Sequence, residues 1–302
     1  MSDDAAIGFE FVAMAGSAEI RLAGLPDERA AALAELAIAE VRRIEQRYSR
    51  YRDDSIIARI NTAAGSGRSI TVDEETAGLL AFGERLWRLS EGRFDITSGV
   101  LRRAWQFQSG VLPEAAAVEG LLPLVGWEKV AWRPVSREIS LPEPGMEIDF
   151  GGFGKEYAAD RAASLLMQHG AVSGFVNLAG DVRVLGPQPD GSGWRIGIQH
   201  PRKSADTVGA VVMAQGALAT SGDYERFMVV DGRRYCHILD PRSGWPVQCW
   251  QSVTVAAPLC TAAGALSTIA MLMQDEAAPF LRAQGVQWMT VDGGGEVCHH
   301  GL

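Results

Sequence analysis

Basic tracts are missing from this 302-residue sequence: Lys and Arg total 28 against 37 Asp and Glu, a formal charge of −9. A surface of that sign repels phosphate backbones unless its basic residues cluster, so nucleic acid is not an expected partner. Cysteine is scarce too. Cys236, Cys249, Cys260 and Cys298 form no CxxC pair and no metal-finger spacing, which argues against a disulfide framework and leaves them as small buried hydrophobes. The tail Cys298-His299-His300 has no answering ligand motif and reads as a frayed end. No apolar run is long enough for a membrane span of about 18 residues or more; the longest, Cys260 to Met273, has the length of a buried helix. The first residues, Met1 to Asp4, are acidic where a signal peptide would be basic, which predicts a cytoplasmic protein. Repeats, low-complexity tracts and long linkers are also lacking, so residues 1–302 are expected to form one unit of two interlocked lobes with no assignable boundary.

What is present is ordinary globular material, 47% hydrophobic and 22% charged. The apolar stripe Ala31, Leu33, Leu36, Ala37, Val41 and Ile44 predicts a helix from Asp27 to about Tyr48, and a second runs from about Glu74, after the N-cap candidate Asp73, to Leu89. Further helices are expected at 155–169, 260–273 and 275–284. Short strands fall near 9–14, 20–22, 129–132, 138–141, 146–148 and 174–178, at several places between 182 and 256, and at 287–291. Helices and strands come in blocks without strict alternation, which predicts an α+β fold with antiparallel sheets and flanking helices.

Three places could carry chemistry. Asp149-Phe-Gly-Gly-Phe-Gly154 feeds a helix that begins with Lys155, so free backbone amides and one positive charge could meet an anion. The spacing matches neither a P-loop nor GxGxxG, and a merely tight helix entry explains it equally well. His237 stands in an apolar strand before an Asp-Pro turn. It is either a satisfied core histidine or, near the polar loop 220–226, a base for a hydroxyl nucleophile. Thr261, Ser267 and Thr268 interrupt an apolar helix, where hydroxyls bonding back to helix carbonyls are the simplest explanation.

Seven segments in order resemble the ApbE family of flavin transferases, over roughly residues 10 to 292: Ser49 to Asn61, Gly92 to Asp95, Glu147 to Asp160, Val176 to Asp181, Thr220 to Arg226, His237 to Gly244 and Ala265 to Thr268. The resemblance implies an ApbE-type, T-fold-related α+β chain that moves FMN from FAD to a Thr or Ser hydroxyl of a partner protein carrying a flavinylation motif, with release of AMP. FAD pyrophosphatase activity, or FAD binding without transfer, are the alternatives. It implies further that Tyr51 lies along the isoalloxazine and that Arg93, Phe94 and Asp95 line its pocket. Asp149, Lys155, Asp160 and Ser221 are implied as further FAD contacts, with Lys155 at the pyrophosphate and Ile238 beside the flavin. His237 becomes the base. Mg²⁺ would be held by the carbonyl of Gly152 and by an Asp and a Thr one helical turn apart.

This sequence departs from that pattern at the metal. The threonine is Thr268, but Gly264 stands where the family has aspartate. The usual Lys-Gly-Tyr is Lys155-Glu156-Tyr157, the Gly-Gly pair is Ala179-Gly180, and Met-Gly-Thr survives loosely as Met14-Ala-Gly-Ser17. Loss of a carboxylate from a hard oxygen site predicts weak Mg²⁺ binding, with Gly264→Asp expected to tighten it. Glycine inside a helix costs about 1 kcal/mol relative to alanine, so something packed close to the backbone is expected at 264. The stretch Asp95 to Leu101 faintly matches a flavinylation signature but ends in leucine where a threonine would be modified. The acceptor is therefore another chain.

Overall fold

Two antiparallel ladders and three helices decide where the cleft lies. The computed structural model describes residues 6–302, so the acidic start, Met1 to Asp4, lies outside the described residues. Strands β1 (Ile7–Ala13) and β2 (Gly16–Leu22) lead into helix α1 (Asp27–Tyr48), α2 (Ile56–Thr62), the two-residue β3 (Ile70–Thr71) and α3 (Glu74–Leu89). After α4 (Ala115–Glu119) come β4 (Ala131–Arg133), β5 (Glu138–Ser140) and α5 (Gly154–Gln168). Then follow β6 (Gly174–Leu178), β7 (Asp181–Gly186), β8 (Trp194–His200), β9 (Lys203–Met213), β10 (Gly216–Gly222), β11 (Phe227–Val230), β12 (Arg233–Cys236) and β13 (Trp250–Ala257). Helices α6 (Cys260–Met273) and α7 (Ala277–Ala283) and strands β14 (Gln287–Asp292) and β15 (Val297–His300) complete the chain.

Eight strands make one antiparallel sheet in the order β1-β2-β6-β7-β10-β13-β14-β15. Both faces are covered, and the two-residue period of a strand sorts the side chains between them. Val176, Ala217, Ala219, Val253 and Val255 join the core with α1, α5 and α6. Phe175, Val184 and Leu218 point the other way, onto Trp194, Ile196 and Ile198 of the β8–β9 hairpin. The α+β class with antiparallel sheets is as expected, and none of the described helices is long and apolar enough to cross a membrane.

Some elements differ from expectation. Ile148 is not in a strand: its backbone N–H and C=O are both taken by the side-chain amide of Asn61, at 2.8 and 3.1 Å. A 3-10 turn forms at Ser98–Arg103, where no helix is expected above. The C-terminal tail is not frayed, since Val297–His300 pairs with β14 as an exposed edge strand. α2 begins at Ser55, whose hydroxyl accepts from the Ala58 amide at 2.9 Å.

Candidate active site

The N-terminus of α5, the start of β7, the end of β10 and one face of α6 converge beneath the loop that follows β12. That loop carries His237. The residue lies one position beyond the strand, not within it, and its amide extends the β11–β12 register by donating to the carbonyl of Arg226 at 2.9 Å. Its side chain is exposed to solvent yet has other protein groups close around it. Burial and then the positive charges of Arg226, Arg50 and Lys155 push its pKa down to about 4. The imidazole is therefore neutral, and a proton acceptor, at physiological pH. A cavity of about 900 Å³ is lined by Gln106, Phe107, Gln108, Ser109, Glu225, Arg226 and Phe227 and touches this loop through Arg226, the backbone partner of His237. A second, of about 620 Å³, lies at the far end of β10, around Gly216, Ala257 and Gln287.

Tyr51 is exposed, and its hydroxyl accepts from Arg50 at 2.8 Å. Burial would raise its pKa, but Arg50 and Arg226 together lower it, which puts Tyr51 in the same positive field as His237. Arg50 also pairs with Asp149, whose other oxygen accepts from the Gly151 amide at 2.9 Å. Asp149 thus shapes the glycine turn. Below it, Phe94 is buried against Gly152, where an added Cβ would stand 2.7 Å from the ring, and packs on Phe153. Arg93 turns outward to Glu276 at 2.6 Å. Ile238 is buried beside Cys236.

Lys155 pairs with Asp181, which is only 2% exposed. Burial works against the lysine's charge, but Asp181 and Glu156 outweigh it and raise its pKa. Ser221 lies between two hydroxyls of α6, 2.8 Å from Ser267 and 2.9 Å from Thr268.

Two expected FAD contacts have their oxygens engaged by the scaffold. Asp95 accepts from the Thr97 amide and hydroxyl at 2.8 and 2.7 Å and from the Trp127 amide at 2.9 Å. Asp160 accepts from the Cys260 and Thr261 amides at 2.9 and 2.8 Å and from the Thr261 hydroxyl at 2.7 Å, and it pairs with Arg183. It caps the N-terminus of α6 from another helix. In both, oxygens expected to face a ligand are turned into the protein by unpaired amides.

The residue that sequence reasoning passed over is Glu156. A Cβ added at Gly264 would lie 2.5 Å from its Cγ and 2.7 Å from its Oε1. The group that needs the space at 264 is a carboxylate. Burial and the charge of Asp181 push its pKa up to about 8, against the opposing effect of Lys155. The available signal was the pair of departures: a glutamate where glycine is usual, and a glycine where a carboxylate is usual, on two helices that pack together.

Comparison with known proteins gives the family of the chain. The ApbE family model matches residues 14–288. The chain is similar to the FAD:protein FMN transferase of Klebsiella pneumoniae (strain 342), 31% identical over 82% of this chain and 76% of the relative. It is also similar to that of Escherichia coli (strain K12), 30% identical over 84% and 75%. Among solved structures, the ApbE protein of Thermotoga maritima superposes with a TM-score of 0.90 at 31% identity, covering 98% of this chain and 97% of that one. The flavin transferase ApbE of Vibrio cholerae gives 0.85 at 25%, covering 98% and 96%.

Proposed function

The chain belongs to the ApbE family, and from that premise we propose how its cleft works as an FAD:protein FMN transferase. The protein moves FMN from FAD to a hydroxyl side chain of an acceptor protein and releases AMP. The observation that carries the residue assignment is the neutral His237 set among Arg226, Arg50 and Lys155. Positive charge there suits the pyrophosphate, and a neutral imidazole suits the hydroxyl.

His237 takes the proton of an acceptor Thr or Ser hydroxyl. The hydroxyl oxygen bonds to the phosphorus of the FMN half, and the bond from that phosphorus to the bridging oxygen breaks. The bridging oxygen and its electron pair leave with AMP. Such transfer depends on positioning and charge neutralisation more than on covalent help from the enzyme. Lys155 and the amides of the 151–154 turn receive the pyrophosphate. Tyr51, Phe94 and Ile238 bound the space for the isoalloxazine, and Asp149 orders the turn through Arg50 and Gly151. Residues 1–302 act as one transferase unit.

Whether the site suits a divalent cation is tested by the donors present. Glu156 is buried with its Oε2 lacking a donor among the described residues, and it faces the side of α6 that bears Thr268. Carboxylate and hydroxyl oxygens make a hard donor set that fits Mg²⁺. Glu156, Thr268 and the Gly152 carbonyl are the groups that would hold it. A cation held there would supply charge neutralisation to the transfer.

Mass spectrometry of a candidate acceptor, incubated with the protein, FAD and Mg²⁺, tests the function. A gain of one FMN is expected. AMP release without that gain would mean hydrolysis, and neither product would overturn the assignment. Lys155→Ala is expected to weaken FAD by about 1.5–3 kcal/mol, the range for charged hydrogen bonds, and to leave riboflavin affinity unchanged. Titration of both flavins checks this. An equal loss for riboflavin would return Lys155 to a purely structural partnership with Asp181.

A further inference from the structure

We propose that Glu156 supplies the carboxylate of this protein's divalent-cation site, reaching from α5 into the space left by Gly264 on α6 to stand beside Thr268. The proposal rests on the FMN-transfer reading for the cation's role, and on geometry for its place.

Glu156 is 7% exposed, its buried Oε2 has no donor among the described residues, and its carboxyl group stands against that of Asp181. An orphaned carboxylate oxygen in a protein interior is costly unless a proton or a cation answers it. Its Oε1 and Cγ fill the position that a side chain at 264 would take. Gly264 and Thr268 are one helical turn apart, and helical side chains lean toward the N-terminus, so Thr268 inclines toward the same spot.

The hydroxyl chain then decides what Thr268 offers. Ser267 donates to the carbonyl of Gly264 at 2.9 Å. In its 2.8 Å contact with Ser221 it must therefore accept, which makes Ser221 the donor. Ser221, its one proton used, accepts from Thr268 at 2.9 Å. The chain of donors runs Thr268 to Ser221 to Ser267 to Gly264. It leaves Thr268 Oγ1 with lone pairs and no proton left to give, the state in which a hydroxyl serves as a cation ligand. The two departures from the family pattern, glutamate at 156 and glycine at 264, are one exchange: the carboxylate has changed helix and kept its place.

The other acidic groups have partners of their own, although Asp181 lies within hydrogen-bond reach of Glu156. Asp181 is paired with Lys155 and accepts from the Thr220 amide at 3.0 Å. Asp223 is held bidentately by Arg202 at 2.6 and 2.7 Å. Among the described residues no group of three or more His, Cys, Asp or Glu side chains could hold a metal. The cation would thus depend on one carboxylate, one hydroxyl, the Gly152 carbonyl and the phosphates of FAD, in keeping with the usual manner of Mg²⁺. The expectation of a weak site, drawn from the glycine alone, is replaced by that of a competent one. Gly264→Asp, instead of tightening the metal, would drive two carboxylates together.

The test uses Mn²⁺ as probe, its free signal read by electron paramagnetic resonance in the FAD-loaded protein. Glu156→Gln is expected to weaken Mn²⁺ by about tenfold or more, as loss of a hard charged ligand should. Gly264→Asp alone is expected to lower both Mn²⁺ affinity and melting temperature. The double exchange Glu156→Gly with Gly264→Asp is expected to restore Mn²⁺ binding to within about threefold of the parent. Unchanged Mn²⁺ affinity in Glu156→Gln, or an exchange variant that binds no better than Glu156→Gln, overturns the proposal. Failure of the functional reading looks different: parent protein whose Mn²⁺ binding follows Glu156 but which modifies no acceptor would uphold the site and remove the transfer.

Discussion

His237→Ala should slow FMN transfer by about 10²–10⁴-fold, the contribution of a positioned general base, while FAD still binds. The ring lies where burial and three cations hold its pKa near 4. A base so weak would be a poor partner for a hydroxyl if nothing changed on binding. FAD changes it, because the pyrophosphate brings negative charge into the field of Arg226, Arg50 and Lys155. The imidazolium is then less disfavoured, and its pKa should move from about 4 toward the ordinary value of about 6.5. The neutral form is the active one. Transfer should therefore fall as pH drops through the FAD-bound pKa and level off above it. NMR titration of His237 with and without FAD reads the shift directly, and the pH profile of transfer should follow the bound value. A His237→Ala protein that transfers FMN at the parent rate would remove His237 from the chemistry.

The long helices α1 and α3 were legible because each has a periodic pattern and a sequence cause where it starts. α1 and α3 carry periodic apolar stripes, with Pro26 before one and the Asp73 cap, bonded to the Thr76 amide at 3.0 Å, before the other. α6 was bounded by its apolar run alone. Strands whose pairing depends on distant partners were less legible. β15 has no alternation, all four residues are exposed, and only β14 makes it a strand. The segment at Ile148 has the composition of a strand, but Asn61, 87 positions away, takes its backbone groups.

The site was legible by residue type and illegible by direction. An aspartate that caps amides and one that meets a ligand look alike in a sequence, which is why Asp95 and Asp160 were placed among FAD contacts. Glu156 shows the converse. A glutamate in the first turn of a helix is commonly an exposed partner of the helix dipole. Only the packing of α5 on α6 turns it inward against Gly264. Each of the two substitutions is odd alone, and their complementarity exists only in three dimensions.

Asp160 is expected to matter for stability more than for flavin. Asp160→Ala removes the acceptor for two amides and a hydroxyl at the start of α6 and leaves Arg183 facing a lost partner, 3.2 Å away in the parent. A helix cap is worth about 1 kcal/mol, and breaking a buried pair from one side costs about 3–5 kcal/mol. The two overlap here, so the expected loss is about 3–5 kcal/mol in all. That is a large share of the stability of an ordinary domain, about 5–15 kcal/mol. Denaturation in urea measures it, as a lower midpoint at unchanged slope. FAD titrated well below the transition separates the two roles of the carboxylate. A scaffold residue loses midpoint and keeps flavin affinity in the fraction that remains folded, whereas a ligand contact loses flavin affinity and keeps the midpoint. The second pattern would restore Asp160 to the binding site. The first is expected, because its Oδ1 and Oδ2 each already accept from an amide of the α6 terminus, and the helix they hold is the one that presents Thr268.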